Sequence, residues 1–430
     1  MEKSNALLID AAARRLLDAA RAWLAPTEIA AVIGAVCERW HDRGFAPRRE
    51  TVARIASAWS YSEALLDESL DALLAPFSRD TVEAFVRDSA YRRGGQHRHE
   101  LVGFIMPGNV PGAGLHEVVI ALVSGASLLI KTASAEPIFF ERFARTLREA
   151  DARVGARIAV FNWNRDRTDL TAALRRNCAW IAAFGDNETI ANAGANAMPQ
   201  PETRSTAVAR AYQNYNMIGF GSRMSAVMIT REGFAAARGV ELADAVARDV
   251  SLFEQRGCLS PHHVFVEEAG VPRVSREFAA QLATALEVFA LRCQPPRCIG
   301  LEDAAAVRRI REIARWRHLG GHKVELWEGI GLGWTVVYDE SAPFRASPGY
   351  RTVSVSPYVH KEDLERRLEA AAGGLEALGA ADPVGRFTPL IARLKADGLS
   401  YVCIPGMMQS PPLEWRHGRG AFVDRLRGEK

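Results

Sequence analysis

A chain of 430 residues exceeds what one ordinary hydrophobic core organises, so two or three domains are expected. Its 48% hydrophobic and 24% charged residues match a globular protein and exclude fibrous or largely disordered architectures. The 54 basic and 51 acidic residues leave a net charge of +3, too small for a nucleic-acid-binding stripe or a polybasic membrane anchor.

The first residues, MEKSNALLIDAAARRLLDAARAWL, place Asp10, Arg14, Arg15 and Asp18 among apolar residues. This predicts an amphipathic helix, not a signal peptide. Residues 1 to about 95 continue in the same alanine- and leucine-rich, helical manner. From Leu101 to Gly221 the character changes. The runs LVGFIM, SLLIK, RIAVFNW and AWIAAFG have strand length, and between them Leu115–Ser124, Pro137–Ala150 and Thr168–Arg176 have helical length and period. Such alternation predicts a parallel, doubly wound α/β sheet, which binds ligands beyond the carboxyl ends of its strands. The longest apolar run, Val118 to Ile130, is interrupted by Ser124, Gly125 and Ser127 and is too short for a membrane span.

A second α/β segment starts near Val240. A helix over Val240–Val250 leads to FEQRGCLSP and a strand at HHVFVEE, and helices follow over Ser275–Leu291 and Ala304–Trp316. Strand-like runs come next at KVELW, WTVVYD and RTVSVSP, then a helix over Glu362–Leu378 and a tail containing SYVCIPG. There is no internal repeat or low-complexity tract. Six scattered cysteines do not form a disulfide framework and read as reduced thiols of a cytoplasmic protein.

Cys258, in Gly257–Cys258–Leu259–Ser260–Pro261, lies between a predicted helix and a predicted strand. A thiol on such a loop is either a nucleophile, which requires the thiolate, or a packed apolar side chain; the residues alone leave both open. Cys178 and Cys403 fall in apolar strand-like runs, Cys37 falls on a helix, and Cys293 with Cys298 has no second Cys/His pair to complete a zinc site. The segment Met106–Gly114 (MPGNVPGAG) follows the first strand of the α/β region and is a ligand-facing, glycine-rich loop. The dinucleotide fingerprint fails there because Glu117 stands where a small residue is needed, and no Gly-Lys-Ser/Thr completes a phosphate loop. Asn109 either directs its amide into a site or caps its own turn.

In order, the blocks GFIMPGNVPG, LLIKTASAEP, AAFGDNETI, GFGSRMSAVMI, DVSLFEQRGCLSPHHVFVE and IPGMMQSPPLEW resemble the acyl-CoA reductases of the bacterial bioluminescence type (LuxC-like), within the aldehyde dehydrogenase superfamily, over roughly residues 100 to 430. The resemblance implies an α/β, aldehyde dehydrogenase-like fold of two doubly wound domains with a helical N-terminal region. Its parts are a helical region over 1–95, a nicotinamide-dinucleotide domain over 96–245, a catalytic domain over 246–400, and a tail over 401–430 that packs back or oligomerises. It also implies that Cys258 is the nucleophile and that Asn109 supplies the oxyanion-hole amide. Lys131, Thr132 and Ser134 would lie at the adenosine ribose. Phe184, Gly185 and Asp186 would lie at the turn near nicotinamide and pyrophosphate, with Gly219 and Gly221 in the matching cofactor block.

Two departures from hydrolytic aldehyde dehydrogenases set the expected direction of chemistry. Gly219 stands where those enzymes place the glutamate that activates water, so the acyl-enzyme awaits hydride instead. Ser134 stands where NAD-preferring members place an acid, which favours NADPH over NADH. The expected substrate is an acyl-CoA or acyl-carrier-protein thioester, with no nucleic-acid partner and a homo-oligomer by analogy. His262 and His263 begin a strand and are expected to be exposed or satisfied within the core. Arg248 and Arg256 could lower the cysteine pKa. Three other activities remain compatible with the residues. These are a cysteine acyltransferase or thioesterase, oxidation of an aldehyde to the acid, and a non-catalytic acyl-binding subunit.

Overall fold

The computed structural model describes residues 2–88, 100–187, 189–190, 217–268 and 273–427. Glu188 of the AAFGDNETI block lies outside them. The chain divides into two compact units. The first comprises residues 1–51, 74–222 and 412–430, and the second 52–73 and 223–411. These limits differ from the expected ones at 95, 245 and 400. The helical region is shared between the units, residues 223–245 join the second, and the tail from Pro412 joins the first. Pairing explains the change near 223: the strand Met224–Ile229 hydrogen-bonds on both sides to strands of the second unit.

In the first unit, helices α1 (Glu2–Arg21), α2 (Pro26–His41) and α3 (Ala46–Trp59, continuing into the second unit) are followed, after α4 (Glu63–Leu74), by α5 (Arg79–Arg87). Sequence explains their ends. Pro26 opens α2, where a missing N–H costs nothing, and the Glu28 carboxylate accepts from the Ala25 N–H at 2.9 Å. Ser78 caps α5 by accepting from Thr81 N. Then come β1 (Leu101–Ile105), α6 (Leu115–Val123), β2 (Ser127–Thr132), α7 (Phe139–Ala150), α8 (Ala152–Gly155), β3 (Ile158–Asn162), α9 (Thr168–Asn177), β4 (Trp180–Phe184) and β5 (Met217–Phe220). The five strands pair in parallel in the order β3-β2-β1-β4-β5. The order therefore reverses between β1 and β4, the point at which such sheets open a ligand crevice. Ile9, Ala13 and Leu16 of α1 pack with Leu170 and Leu174 of α9 against Leu101, Leu129 and Ile181 of the sheet.

The second unit contains β6 (Met224–Ile229), α10 (Arg231–Ala236), α11 (Val240–Ser251), β7 (Pro261–Glu267), α12 (Val274–Arg292), α13 (Leu301–Leu319), β8 (Val324–Glu328), β9 (Thr335–Asp339), β10 (Thr352–Tyr358), α14 (Lys361–Glu369), β11 (Leu375–Ala381), α15 (Thr388–Ala396) and β12 (Tyr401–Cys403). The seven strands run β12-β11-β6-β7-β10-β9-β8, all parallel except the antiparallel edge pair β8–β9. The expected single helix over 362–378 is incorrect. The helix stops at Glu369, and Leu375–Ala381 is an interior strand between β6 and β12. Leucine and alanine favour helices, but a parallel strand covered on both faces also reads as an unbroken apolar run, and pairing decides. One core of this unit joins Ala226, Met228, Phe265 and Tyr358 to Leu364, Leu368, Leu390 and Leu394. Among the described residues, no single helix is long and apolar enough to cross a membrane. The final helix, α16 (Ala421–Arg427), belongs to the first unit.

Candidate active site

At the carboxyl end of β1, the loop 106–114 is tied to the neighbouring strand by Met106 N–H donating to Lys131 O at 2.9 Å. Gly112 and Gly114 adopt φ of 74° and 91°, a left-handed region that favours glycine, and Gly114 is the N-cap of α6. A Cβ on Gly108 would stand 2.9 Å from Ala133 Cβ, so the loop backbone packs directly against the alanine side chains after β2. Asn109 is half-buried on the same loop. Gly108 thus permits this packing, and Gly112 and Gly114 permit the turn into α6.

Lys131 and Thr132 end β2. Lys131 is half-buried, and burial pulls its ammonium below the usual lysine range. Among the described residues no carboxylate forms an ion pair with it. Thr132 is buried, and its hydroxyl is used inside the protein: Oγ1 donates to Phe161 O at 3.3 Å and accepts from Asn162 Nδ2 at 3.0 Å. Ser134 is exposed and donates to Asn164 Oδ1 at 2.7 Å. Asn162 and Asn164, which the sequence reading passed over, thus brace the β2 turn. So does Glu136, whose buried carboxylate accepts from Ile138 N and Phe139 N at 2.9 Å each and starts α7. Burial raises its carboxyl above the ordinary range.

Phe184 and Phe220 end β4 and β5 as register partners, and Gly185 N–H donates to Phe220 O at 3.2 Å. Asp186 accepts from Thr189 N at 2.6 Å, and this hydrogen bond holds its carboxyl below the ordinary range. Gly219 sits within β5 opposite Ala183. A Cβ on Gly221 would lie 2.4 Å from Asn187 Oδ1, so no larger residue fits there without moving that side chain. Lys131, Ser134, Phe184, Gly185, Asp186, Gly219 and Gly221 all belong to the first unit at the carboxyl edge of its sheet; Thr132 shares that edge as a brace.

Cys258 belongs to the second unit, on the loop between α11 and β7, and is half-buried. A dense set of buried hydrogen bonds fixes the loop. The Cys258 carbonyl accepts from Ser225 Oγ at 2.7 Å, and that hydroxyl accepts from Ala377 N at 3.0 Å. Gln409 Nε2 donates to Ser260 Oγ at 3.0 Å and to Asp249 O at 3.1 Å. The Asp249 carboxylate accepts from Gly406 N and Met408 N, and burial pushes it up to about 7. Just before the cysteine, Phe253, Glu254 and Gln255 all have positive φ, of 54°, 53° and 59°. Three non-glycine residues in this region store strain that the surroundings must offset. They face a second left-handed stretch, Gly349 (84°), Tyr350 (52°) and Arg351 (54°).

The two stretches are locked together. Tyr350 N–H donates to Glu254 O at 2.8 Å, Thr352 N–H donates to Gln255 Oε1 at 2.7 Å, and Gln255 Nε2 donates to Pro261 O and Thr352 O at 2.8 Å each. Arg351 and Glu254, both fully buried, pair at 2.5 Å. These bonds hold the segment before Cys258 in one conformation.

The other candidates resolve clearly. His262 Nδ1 accepts from Ser347 N at 2.8 Å, and His263 Nε2 donates to Ser356 Oγ at 2.9 Å, since that hydroxyl itself donates to Asp339 O. Burial depresses the two imidazoles to about 4 and about 3. Both histidines are neutral core residues. Arg248 Nη1 donates to Gly406 O at 3.0 Å, and the Arg256 guanidinium lies 5.6 Å from the Tyr350 ring centroid. Cys37, Cys178 and Cys403 are thiols that burial pushes up, the latter two to about 12. Among the described residues no group of three His, Cys, Asp or Glu is placed to hold a metal.

A doubly wound sheet open at its switch point, and a braced cysteine between helix and strand in a second sheet, define an aldehyde dehydrogenase-like α/β protein. Solved structures support this class. They include an oxidoreductase from Marinobacter aquaeolei (TM-score 0.68, 13% identity, 94% of this chain and 83% of that one). A second is an NAD-dependent benzaldehyde dehydrogenase from Corynebacterium glutamicum (0.65, 16%, 94% and 86%), and a third an NAD+ complex of an aldehyde dehydrogenase from Bacillus cereus (0.63, 17%, 92% and 80%). At these identities the likeness shows the fold. The family model described as acyl-CoA reductase (LuxC) matches residues 24–418, and the chain belongs to that family. It is also 22% identical, over 345 residues, to the long-chain acyl-protein thioester reductase of Aliivibrio fischeri. That alignment takes in 76% of this chain and 65% of the relative's own length.

Proposed function

We propose that this protein reduces an acyl thioester, carried by CoA or an acyl carrier protein, to an aldehyde with NADPH through an acyl-enzyme on Cys258. The observation that carries the direction of the chemistry is Gly219. By the resemblance of Gly219–Arg223 to the glutamate-bearing block of hydrolytic aldehyde dehydrogenases, Gly219 would stand where their water-activating carboxylate is, and it has no side chain. Without a base to activate water there, hydrolysis of the acyl-enzyme is slow and reduction competes.

In this reading a nicotinamide dinucleotide would lie at the carboxyl edge of the first sheet. The half-buried Lys131 would offer a cation to an anionic group there. Lys131 and Ser134 would hold the 2′-phosphate end, and Phe184, Gly185, Asp186, Gly219 and Gly221 the other end, with Thr132 shaping the turn. When bound, the reduced nicotinamide supplies hydride to the acyl carbon. The Cys258 thiolate attacks the thioester carbonyl, a new C–S bond forms, and the carrier thiolate leaves. Asn109 donates its amide to the carbonyl oxygen as negative charge develops there. After reduction, the thiohemiacetal oxyanion on Cys258 collapses, breaks its C–S bond, and releases aldehyde and thiolate.

Incubation with a radiolabelled acyl-CoA, isolation of the protein and addition of NADPH tests the whole cycle. The label is expected on the wild-type protein, absent from Cys258→Ala, and discharged by NADPH as aldehyde. Label leaving only as free acid, or no label, overturns the reading.

A further inference from the structure

The second unit holds a cleft that the steps above do not use. It lies between α13 and the turn before β9, has a volume of about 290 Å³, and is lined by Arg308, Arg311, Glu312, Arg315, Gly331 and Leu332. Spacing explains the arginines: positions 308, 311 and 315 are three and four residues apart, so they share one face of the helix. Arg311 is the buried anchor. Its Nη1 donates to Gly331 O at 2.6 Å, and its Nη2 and Nε donate to Trp334 O and Thr335 Oγ1 at 2.9 Å each, which ties the cleft to the first residue of β9. Glu328 pairs with Arg315 at 2.6 Å and with Arg311 at 3.4 Å, and Glu312 also pairs with Arg315. Arg308 is exposed and, among the described residues, has no hydrogen bond or ion pair. Three arginines therefore meet two glutamates here, and the Arg308 guanidinium is left without a counter-charge.

The cleft and the nucleophile share one edge of the seven-stranded sheet. Cys258 precedes the amino end of β7, the cleft lies at the amino end of β9, and β10 runs between them. All three strands are parallel, so two strand spacings, about 10 Å, separate the outer two. Hydrogen bonds join their amino ends. Gln255 Nε2 bridges Pro261 O and Thr352 O at 2.8 Å each, Thr352 is the register partner of Thr335, and Thr335 N–H donates to Arg351 O at 2.9 Å. The Tyr350 hydroxyl, beside Arg256, donates to Asp303 Oδ2 at 2.8 Å, which fastens the first turn of α13 to the same edge. From Asp303 the helix rises about 7.5 Å to Arg308.

We propose that the α13 cleft binds the phosphates of a CoA thioester, with Arg308 as the contact that selects them. This rests on the acyl-enzyme reading above and names the carrier. CoA joins its sulfur to a diphosphate through pantetheine, a chain comparable to about four extended residues and roughly 15 Å long. With the sulfur at Cys258, an arm of that length carries the phosphates past β10 to the arginines. A guanidinium offers paired N–H donors that match phosphate oxygens, and Arg308 has no carboxylate to give up first. Arg311 is committed to the turn before β9 and shapes the cleft.

The test uses the full chain and two thioesters of one radiolabelled acyl group, on CoA and on pantetheine, which lacks every phosphate. Labelling of the protein is followed against thioester concentration. Arg308→Ala is expected to raise the half-saturating acyl-CoA concentration about tenfold, the scale of one lost charge-assisted contact, and Arg308→Glu to raise it further. The limiting labelling rate and the acyl-pantetheine kinetics are expected to stay unchanged in both variants. An unchanged acyl-CoA dependence in Arg308→Glu, or equal weakening of both thioesters, overturns the proposal. Calorimetric titration with CoA alone separates it from the reading on which it rests. CoA binding by the wild type that Arg308→Glu weakens at least about tenfold, together with no label on Cys258, overturns the acyl-reductase reading and leaves the phosphate cleft standing.

Discussion

Replacing Arg351 by methionine removes the partner of Glu254 and keeps comparable side-chain volume. The two are 0% and 1% exposed, so Glu254 is left as a buried carboxylate with no cation beside it. The Arg351 Nη2 bond to Cys293 O, 2.9 Å, is lost as well. Breaking a buried ion pair costs about 3–5 kcal/mol, and at roughly 2–4 °C per kcal/mol for a unit of this size Tm falls by roughly 10 °C. The loss depends on pH. Burial already raises the Glu254 carboxyl, and without Arg351 it rises further. A carboxyl raised in the folded state binds more protons there than in the unfolded chain, so stability falls as pH increases through its folded pKa. Scanning calorimetry is therefore expected to show a larger deficit at pH 8 than at pH 5.5. The double change Glu254→Leu with Arg351→Met removes the stranded charge and is expected to recover most of Tm. An equal deficit at both pH values, or no recovery in the double variant, refutes the reasoning. Because the pair fixes the left-handed turn three residues before Cys258, the rate of acyl labelling should fall with Arg351→Met beyond any loss of folded protein.

Three further outcomes are expected. Asn109→Ala lowers kcat for thioester reduction by about 100- to 1,000-fold, read in steady-state assays with substrate KM little changed, as for other lost oxyanion donors. Ser134→Asp places a negative charge beside the 2′-phosphate and shifts the NADPH-to-NADH ratio of kcat/KM toward NADH by about tenfold or more; an unchanged ratio removes Ser134 from cofactor discrimination. The buried Asp249, pushed up to about 7, makes the fold lose stability between pH 5 and 7 as it ionises, and Asp249→Asn flattens that part of a Tm-against-pH curve relative to wild type.

Local order was largely readable. The alternating strands and helices from Leu101 to Phe184 match the structure within a residue or two, because strand-length apolar runs and helical periods are properties of short segments. Missing were Asn162 and Glu136, whose side chains serve backbone groups of a turn distant in sequence or just ahead of a helix, and Asn164, which accepts from the Ser134 hydroxyl. Residues 375–381 were misread because their helical propensity is real, and only pairing with β6 and β12 overrides it.

By itself the sequence determined the two α/β segments, the glycine-rich loop, the order of blocks that resemble the acyl-CoA reductases, and a glycine at position 219. Tertiary structure alone decided which polar residues share an environment. Glu254 meets Arg351 across 97 positions, and Glu117 meets His417 across 300. No local period encodes such pairs, since each partner is an ordinary charged residue until the fold buries them together and makes the absence of either one costly.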